Sequence, residues 1–197
     1  MNKAQELKRI ADEIKNCKEC KLNKTGLVVP GEGHPNAKIV FVGEAPGYQE
    51  SRTGKPFIGR SGQFLSQLLD EISLDRKDVF ITSPVKYYPV KLNTKKSKRS
   101  RDKSGRAPTE KEINHGKIHL LKQLEVIKPQ MIVLLGRVAT KALIGKASDL
   151  VDRTHGTTLQ ANGYKFFFTY HPAAAMRFPR IKILMQADFK KLLKLLP

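Results

Sequence analysis

"VFVGEAPGYQESRTGKPFIG" occupies residues 40–59. It opens inside an apolar run, AKIVFVGEA, that breaks at Gly43. A continuous apolar run ending in glycine suits a parallel strand buried on both faces, where neither row of side chains meets water. The residues that follow are polar, charged and rich in glycine and proline, with one aromatic, Phe57, near the end. A loop of this kind beyond a buried strand has no core to fill, so its side chains are available to a ligand.

The same alternation continues outward in both directions. Residues 3–16 carry Leu7, Ile10, Ala11 and Ile14 on one helical face. GRSGQFLSQLLDEISL places Phe64, Leu65, Leu68, Leu69 and Ile72 at helical spacing. KDVFITSPV reads as a second strand, QMIVLLG as a third and YKFFFTYHP as a fourth. Between them, Thr109 and Glu112 form a Thr-x-x-Glu capping box that opens a helix running to Pro129, with Gly116 as an internal weak point. RVATKALIG and PRIKILMQADFKKLLKLL supply two more helices. Strands alternating with helices predict an α/β fold: a three-layer α/β/α sandwich around a central four-stranded parallel sheet. One domain, residues 1–197, is expected. Ligands of such sheets bind beyond the carboxyl ends of the strands. That places the residue 43–59 loop, Ser83, Gly136 and His171 around one rim.

The chain carries 37 Lys+Arg against 18 Asp+Glu, a formal net charge of +19. Such a surface suits a polyanion, and nucleic acid is the leading candidate, because basic groups gain by releasing condensed counterions. Residues 91–108 are densely basic and poor in apolar side chains. They read as a flexible loop, either a solvated insertion or an arm whose Lys95, Lys96, Lys98 and Arg99 grip phosphates. No apolar run approaches the roughly 20 residues that span a bilayer. The polar, periodic start is not a secretory signal. A cytoplasmic monomer is expected, with no membrane partner.

Two stretches carry candidate chemistry. In the first, Glu44 and Glu50 are acids on the rim loop, and Phe57 is a ring suited to stacking a flat ligand. Each has a plainer reading: Glu44 as a helix cap or arginine partner, Phe57 as a core plug. In the second, YHPAAAMRFP, His171 ends a strand and is followed by Pro172. A histidine there can donate a hydrogen bond to charge developing on a leaving group, although many such histidines are structural. Met176, Arg177 and Phe178 then form an apolar wedge with a cation beside it, a shape that can enter a base stack.

Together, GEAPGYQE…TGKPFIGRSGQFL and HPAAAMRF resemble the two signature motifs of the uracil-DNA glycosylase superfamily, most nearly its family-four branch of bacteria and archaea. CKECKL, APTEKEI and IKPQMIVLLGRVAT extend the resemblance along almost the whole chain. It implies hydrolysis of the N-glycosidic bond of uracil, or a related deaminated base, in DNA after base flipping. By that resemblance Glu44 adjoins the attacking water, and the turn containing Gly43 and Ala45 lines the base pocket. Glu50 helps to hold the loop, Phe57 stacks on the flipped uracil, and His171 stabilises charge on uracil O2. Met176, Arg177 and Phe178 contact the duplex.

Two departures stand out. Family four normally holds a [4Fe–4S] cluster on four cysteines. Cys17 and Cys20 match the first two, whereas Tyr87 and Gly116 stand at the others. The degenerate site implies no cluster and no other metal. After the second strand the family typically has asparagine, and this chain has Ser83, a shorter base-binding group. These departures leave open an alternative: a diverged relative that binds nucleic acid without glycosylase activity.

Overall fold

The computed structural model describes residues 1–21, 26–91, 105–145 and 150–196, with the side chains of Cys20 and Lys21 outside that description. Lys95, Lys96, Lys98 and Arg99, and with them most of the expected basic loop, lie outside the described residues.

Helix α1 (Lys3–Asn16) starts at a capping box in which Asn2 and Gln5 bond reciprocally. It is followed by α2 (Lys18–Lys21), β1 (Glu32–Gly33), β2 (Ile39–Val42), α3 (Tyr48–Thr53), α4 (Arg60–Glu71) and β3 (Phe80–Thr82). Helix α5 (Glu110–Ile127) has the Thr109/Glu112 box at its start and ends before Pro129, which cannot continue it. Then come β4 (Met131–Leu135), α6 (Arg137–Ile144), α7 (Leu150–Thr154), β5 (Thr158–Ala161), β6 (Tyr164–Thr169), α8 (Pro172–Ala175) and α9 (Pro179–Leu193).

The sheet has six strands in the order β1-β3-β2-β4-β6-β5. The central β3-β2-β4-β6 are parallel, and β1 and β5 pair antiparallel at the two edges. The expected four-stranded parallel sheet is therefore the middle of a larger mixed one. Both edges escape an apolar-run search for the same reason. Strand β1 is two exposed residues, and β5 is exposed along nearly its whole length. The available signal for β5 is the Asn162-Gly163 pair that turns it into β6, both residues at positive φ (52° and 78°).

Register fixes which side chains share a face. Ile81, Phe41, Val133 and Phe167 stand side by side across the parallel strands. They pack on one face against Leu65, Leu68 and Leu69 of α4 and Met185, Phe189 and Leu192 of α9. Phe41 and Phe189 stack there at 6.2 Å. The alternate residues Val40, Val42, Ile132, Leu134, Phe166 and Phe168 meet Leu120, Leu124 and Ile127 of α5 and Leu143 of α6 on the opposite face. From β2 the chain crosses to β3 on one side, and later to β4 on the other. That reversal opens a crevice at the carboxyl end of β2.

Behind this crevice, Lys86 is fully buried. Its ammonium donates to Pro30 O (3.1 Å), Thr82 Oγ1 (2.7 Å) and Gln123 Oε1 (2.8 Å), joining the end of β3 to α5. The same two segments meet at Gly116, where an added Cβ would lie 1.8 Å from Pro84 O. The glycine is a requirement of close approach, and the internal weak point of α5 is its contact with the sheet.

Gly116→Ala tests this packing. In a solvated helix alanine is favoured over glycine by about 0.8–1 kcal/mol. Here the variant is expected to lose about 1–3 kcal/mol by overpacking, read as a lower urea midpoint at unchanged m-value. A raised midpoint would contradict the contact.

Candidate active site

The loop after β2 is closed on itself by one buried carboxylate. Glu50 Oε2 accepts from Gly47 N (3.1 Å), and Oε1 accepts from Ile58 N (3.0 Å) and Gly59 N (2.9 Å). A Cβ at residue 47 would stand 2.7 Å from Glu50 Oε2, so glycine is needed for the approach. Arg76 Nη2 donates to Pro56 O at 2.5 Å. Between these ties, Phe57 adopts φ +50°, the left-handed region that a bulky side chain rarely enters. Its ring packs beside Gly43, where a Cβ would lie 2.6 Å from Phe57 Cε2 and Cζ and 3.7 Å from His171 Nε2.

His171 follows β6 and caps α8. The end of β6 is anchored by Thr169, whose Oγ1 donates to the buried Asp188 (2.8 Å) and whose carbonyl accepts from Gly136 N (2.9 Å). Asp188 is also paired with His155 Nδ1 at 3.0 Å. His171 Nδ1 accepts from Ala173 N at 3.1 Å. A backbone amide can only donate, so Nδ1 carries no proton and the neutral ring bears its hydrogen on Nε2. That Nε2 is buried and has no hydrogen-bond partner among the described residues. Burial, opposed only by the nearby Glu50 charge, pushes the imidazole down to about 4.

Glu44, Ala45, Pro46, Glu50, Phe57, Ser83 and His171 line one cavity of about 220 Å³, with Val29, Ser61, Thr82 and Ala173 completing the wall. This is below the ~300–1,000 Å³ of clefts that take drug-sized ligands, and suits a single base. The rings of Phe57 and His171 are 5.6 Å apart at 34°. At that separation the two rings leave no room for a flat ligand between them. Burial raises the Glu44 carboxyl above the ordinary range. Ser83 Oγ donates to Val85 O at 2.7 Å, so it offers the cavity lone pairs.

Gly43, Glu44, Ala45, Glu50, Phe57 and His171 are thus brought to one place, whereas Met176, Arg177 and Phe178 do not line the cavity and Phe178 lines a separate one with His155 and Tyr170. Gly43 stands behind the Phe57–His171 contact. Glu50 lines the cavity, but its described bonds go to the loop backbone, which makes it a positioning group rather than a direct base reader. Met176, Arg177 and Phe178 are exposed just beyond α8, whose Ala173 lines the cavity. Sequence reasoning missed Arg76 and the Lys86–Thr82–Gln123 network. The legible sign of the network was a lysine inside the apolar stretch VFITSPVKYYPV. No metal-donor group forms in the cavity. Among the described residues, the cluster of donors near enough to share an ion is Cys17, His115 and His119.

Residues 30–196 match the family model of the uracil DNA glycosylase superfamily. The type-4 uracil-DNA glycosylase of Sulfurisphaera tokodaii is 37% identical over 96% of this chain and 84% of its own length. That of Saccharolobus solfataricus is 41% identical over 92% and 82%. A type-5 uracil-DNA glycosylase of Pyrobaculum aerophilum is 29% identical over 75% of this chain and 66% of its own.

The protonation of His171 is directly measurable. Its folded value lies below the ordinary 6.5, so its contribution to stability is complete above that pH and falls away as pH drops toward about 4. Nitrogen-15 NMR of the imidazole is expected to show the Nε2–H neutral tautomer through the neutral range, with a midpoint near 4. A midpoint near 6.5, or a proton on Nδ1, would contradict the site.

Proposed function

The chain belongs to the uracil DNA glycosylase superfamily, and we propose that it excises uracil from DNA by hydrolysing the N-glycosidic bond of a base flipped into the Phe57–His171 cavity. The observation that carries the reading is a neutral imidazole whose buried Nε2–H has no partner among the described residues, beside the half-buried Phe57 ring that lines the same cavity.

A base inside the duplex is beyond reach of any of these groups and has to be extruded, at a cost of a few kcal/mol. Met176 and Phe178, exposed in the turn after α8, are apolar groups of the kind that take the place of a departed base. The Phe57 face then stacks on the pyrimidine. As the bond from C1′ to N1 breaks, its electron pair moves onto the base and spreads to O2. His171 Nε2–H faces that oxygen in a dry cavity, where a preorganised donor acts with little screening. An imidazolium would be the stronger acid, but the buried site keeps the ring neutral, and a neutral donor stabilises the anion without having to be reprotonated. Glu44, made more basic by burial, holds the water that adds to C1′ and receives its proton.

Ser83 bears on base choice. Its hydroxyl hydrogen is used by Val85 O, so its oxygen accepts from the base edge. Uracil presents N3–H there and cytosine presents a bare N3. The match favours uracil, and also the purine edges of hypoxanthine and xanthine, which carry N1–H.

Incision assays on oligonucleotides carrying uracil, hypoxanthine or xanthine, followed by alkali, test the proposal. Cleavage at uracil is expected. His171→Ala should lower the single-turnover rate by about 10²–10³, the usual loss for an oxyanion donor. Glu44→Ala should lower it by at least about tenfold, or 1.4 kcal/mol of barrier. DNA binding without base release would instead support a diverged binder.

The wedge has its own test. Phe178→Ala should slow excision from duplex DNA several-fold while leaving single-stranded substrate unaffected, because only the duplex demands unstacking. Equal loss on both substrates would place Phe178 in folding or general binding.

A further inference from the structure

The four-cysteine cluster implied by the family resemblance does not fit this chain. The sequence holds two cysteines. At one remaining ligand position, Gly116, an added Cβ would stand 1.8 Å from Pro84 O, so no side chain can occupy the place. At the other, Tyr87 is buried and its hydroxyl donates to Glu112 at 2.7 Å. Arg106 grips the same carboxylate through two 2.7 Å bonds and holds its pKa at about 2. Tyr87 is thereby committed to an ion-pair network.

One residue before Gly116 and three beyond it stand His115 and His119, a His-x3-His pair on α5. Residues four apart share a helix face, which is why this spacing recurs at metal sites. Their rings lie edge to face at 5.8 Å. Cys17, at the carboxyl end of α1, faces them across the α1–α5 packing, and one donor atom from each of the three residues lies within 4.8 Å of the others.

We propose that Cys17, His115 and His119 bind a single borderline-soft divalent ion, Zn²⁺ by the chemistry of its donors, in place of an iron–sulfur cluster. Three observations carry it. First, Cys17 Sγ and His115 Nε2 are 3.2 Å apart. Tetrahedral zinc sets its ligand atoms roughly 3.3–3.6 Å apart, so the set as a whole closes by at most about 1.5 Å. Second, His115 presents Nε2 to the sulfur while its Nδ1 lies 3.1 Å from Glu19 Oε2. That carboxylate is placed as outer-shell partners of ligating histidines are placed. Third, His119 is only 5% exposed and its buried Nδ1 has no hydrogen-bond partner among the described residues, Glu13 standing 3.6 Å off. Such a buried orphan is costly, and a rotation of the ring toward an ion would relieve it. A cavity lined by Glu13, Asn16, Cys17, His115, Ile118 and His119 supplies the space.

The ion would staple the end of α1 to the middle of α5. Because Gly116 of α5 abuts Pro84, next to Ser83, the staple would brace the rear wall of the base cavity from outside it. On binding, the Cys17 thiol gives its proton to solvent and the thiolate pair goes to the metal, so affinity rises with pH.

The experiment uses the full-length, tag-free protein stripped of metal by chelation. Calorimetric titration with Zn²⁺ should show one equivalent bound and a rise in Tm. Titration with Co²⁺ should produce the intense visible bands of a tetrahedral site and a thiolate-to-cobalt charge-transfer band. Cys17→Ser and His119→Ala, checked for folding by circular dichroism, should each weaken Zn²⁺ binding at least tenfold, while His34→Ala, an exposed histidine elsewhere, should not. The proposal fails if the stripped wild-type protein takes up no Zn²⁺, if cobalt binds without the sulfur band, or if the purified protein carries stoichiometric iron and sulfide. Uracil release by the metal-free protein bears only on the catalytic proposal, so the two are separable.

Discussion

The carboxylate of Glu50 does more for this site than any group aimed at the substrate. Its two oxygens take three backbone amides, from Gly47, Ile58 and Gly59, and so join the start of the rim loop to its end. Phe57 sits immediately before the last two of those amides in a left-handed conformation that costs of order 1–3 kcal/mol. Charge-assisted bonds of this kind are roughly twice as strong as neutral ones, enough to hold the strained residue in place. Without the clamp Phe57 would relax toward an ordinary conformation and its ring would leave the cavity. The glycine at residue 47 follows from the same constraint, since a larger residue would keep the carboxylate away.

The electrostatics of the cavity run against those of the surface. A chain with formal charge +19 attracts DNA over distances near the Debye length, about 8–10 Å at ordinary salt. Among the described residues, no lysine or arginine lines the cavity wall. Surface charge thus suits a polyanion, whereas the cavity presents dipoles and groups whose charge burial suppresses. His171 remains neutral and Glu44 gains basicity from the same loss of water.

The core strands were legible because burial on both faces leaves unbroken apolar runs, and helix starts such as Thr109/Glu112 were legible because capping has a local chemical signature. The edges were not, since β1 and β5 bury too little to leave a pattern. The loop acids and His171 could be found by residue type at strand ends, and the family resemblance implied that Glu50 holds the loop, but the contacts that would do so could not be read. That Glu50 serves backbone amides, that Ser83 has spent its hydrogen on Val85, and that Nδ1 of His171 is an acceptor are all facts of angle and distance. Gly116 shows the limit most sharply. In the sequence it is a poor helix former, and only the approach of Pro84 shows it to be indispensable.

That contact also connects the two ends of the molecule's chemistry. Behind the cavity, Lys86 ties Thr82 to Gln123 on α5, and Gly116 on the same helix presses on Pro84. Thr82 and Ser83 line the cavity, so their position is set by how α5 seats on the carboxyl end of β3. Helix α5 is held from its other flank by α1, through Lys122 on Glu13 at 2.5 Å and Lys3 on Ile127 O at 2.8 Å. The Cys17–His115–His119 cluster sits on that same seam. Packed interiors transmit displacement because they have little free volume. Any group that fixes α1 on α5 therefore bears on the position of Thr82 and Ser83 in the cavity wall through a rigid helix, without lying in the cavity itself.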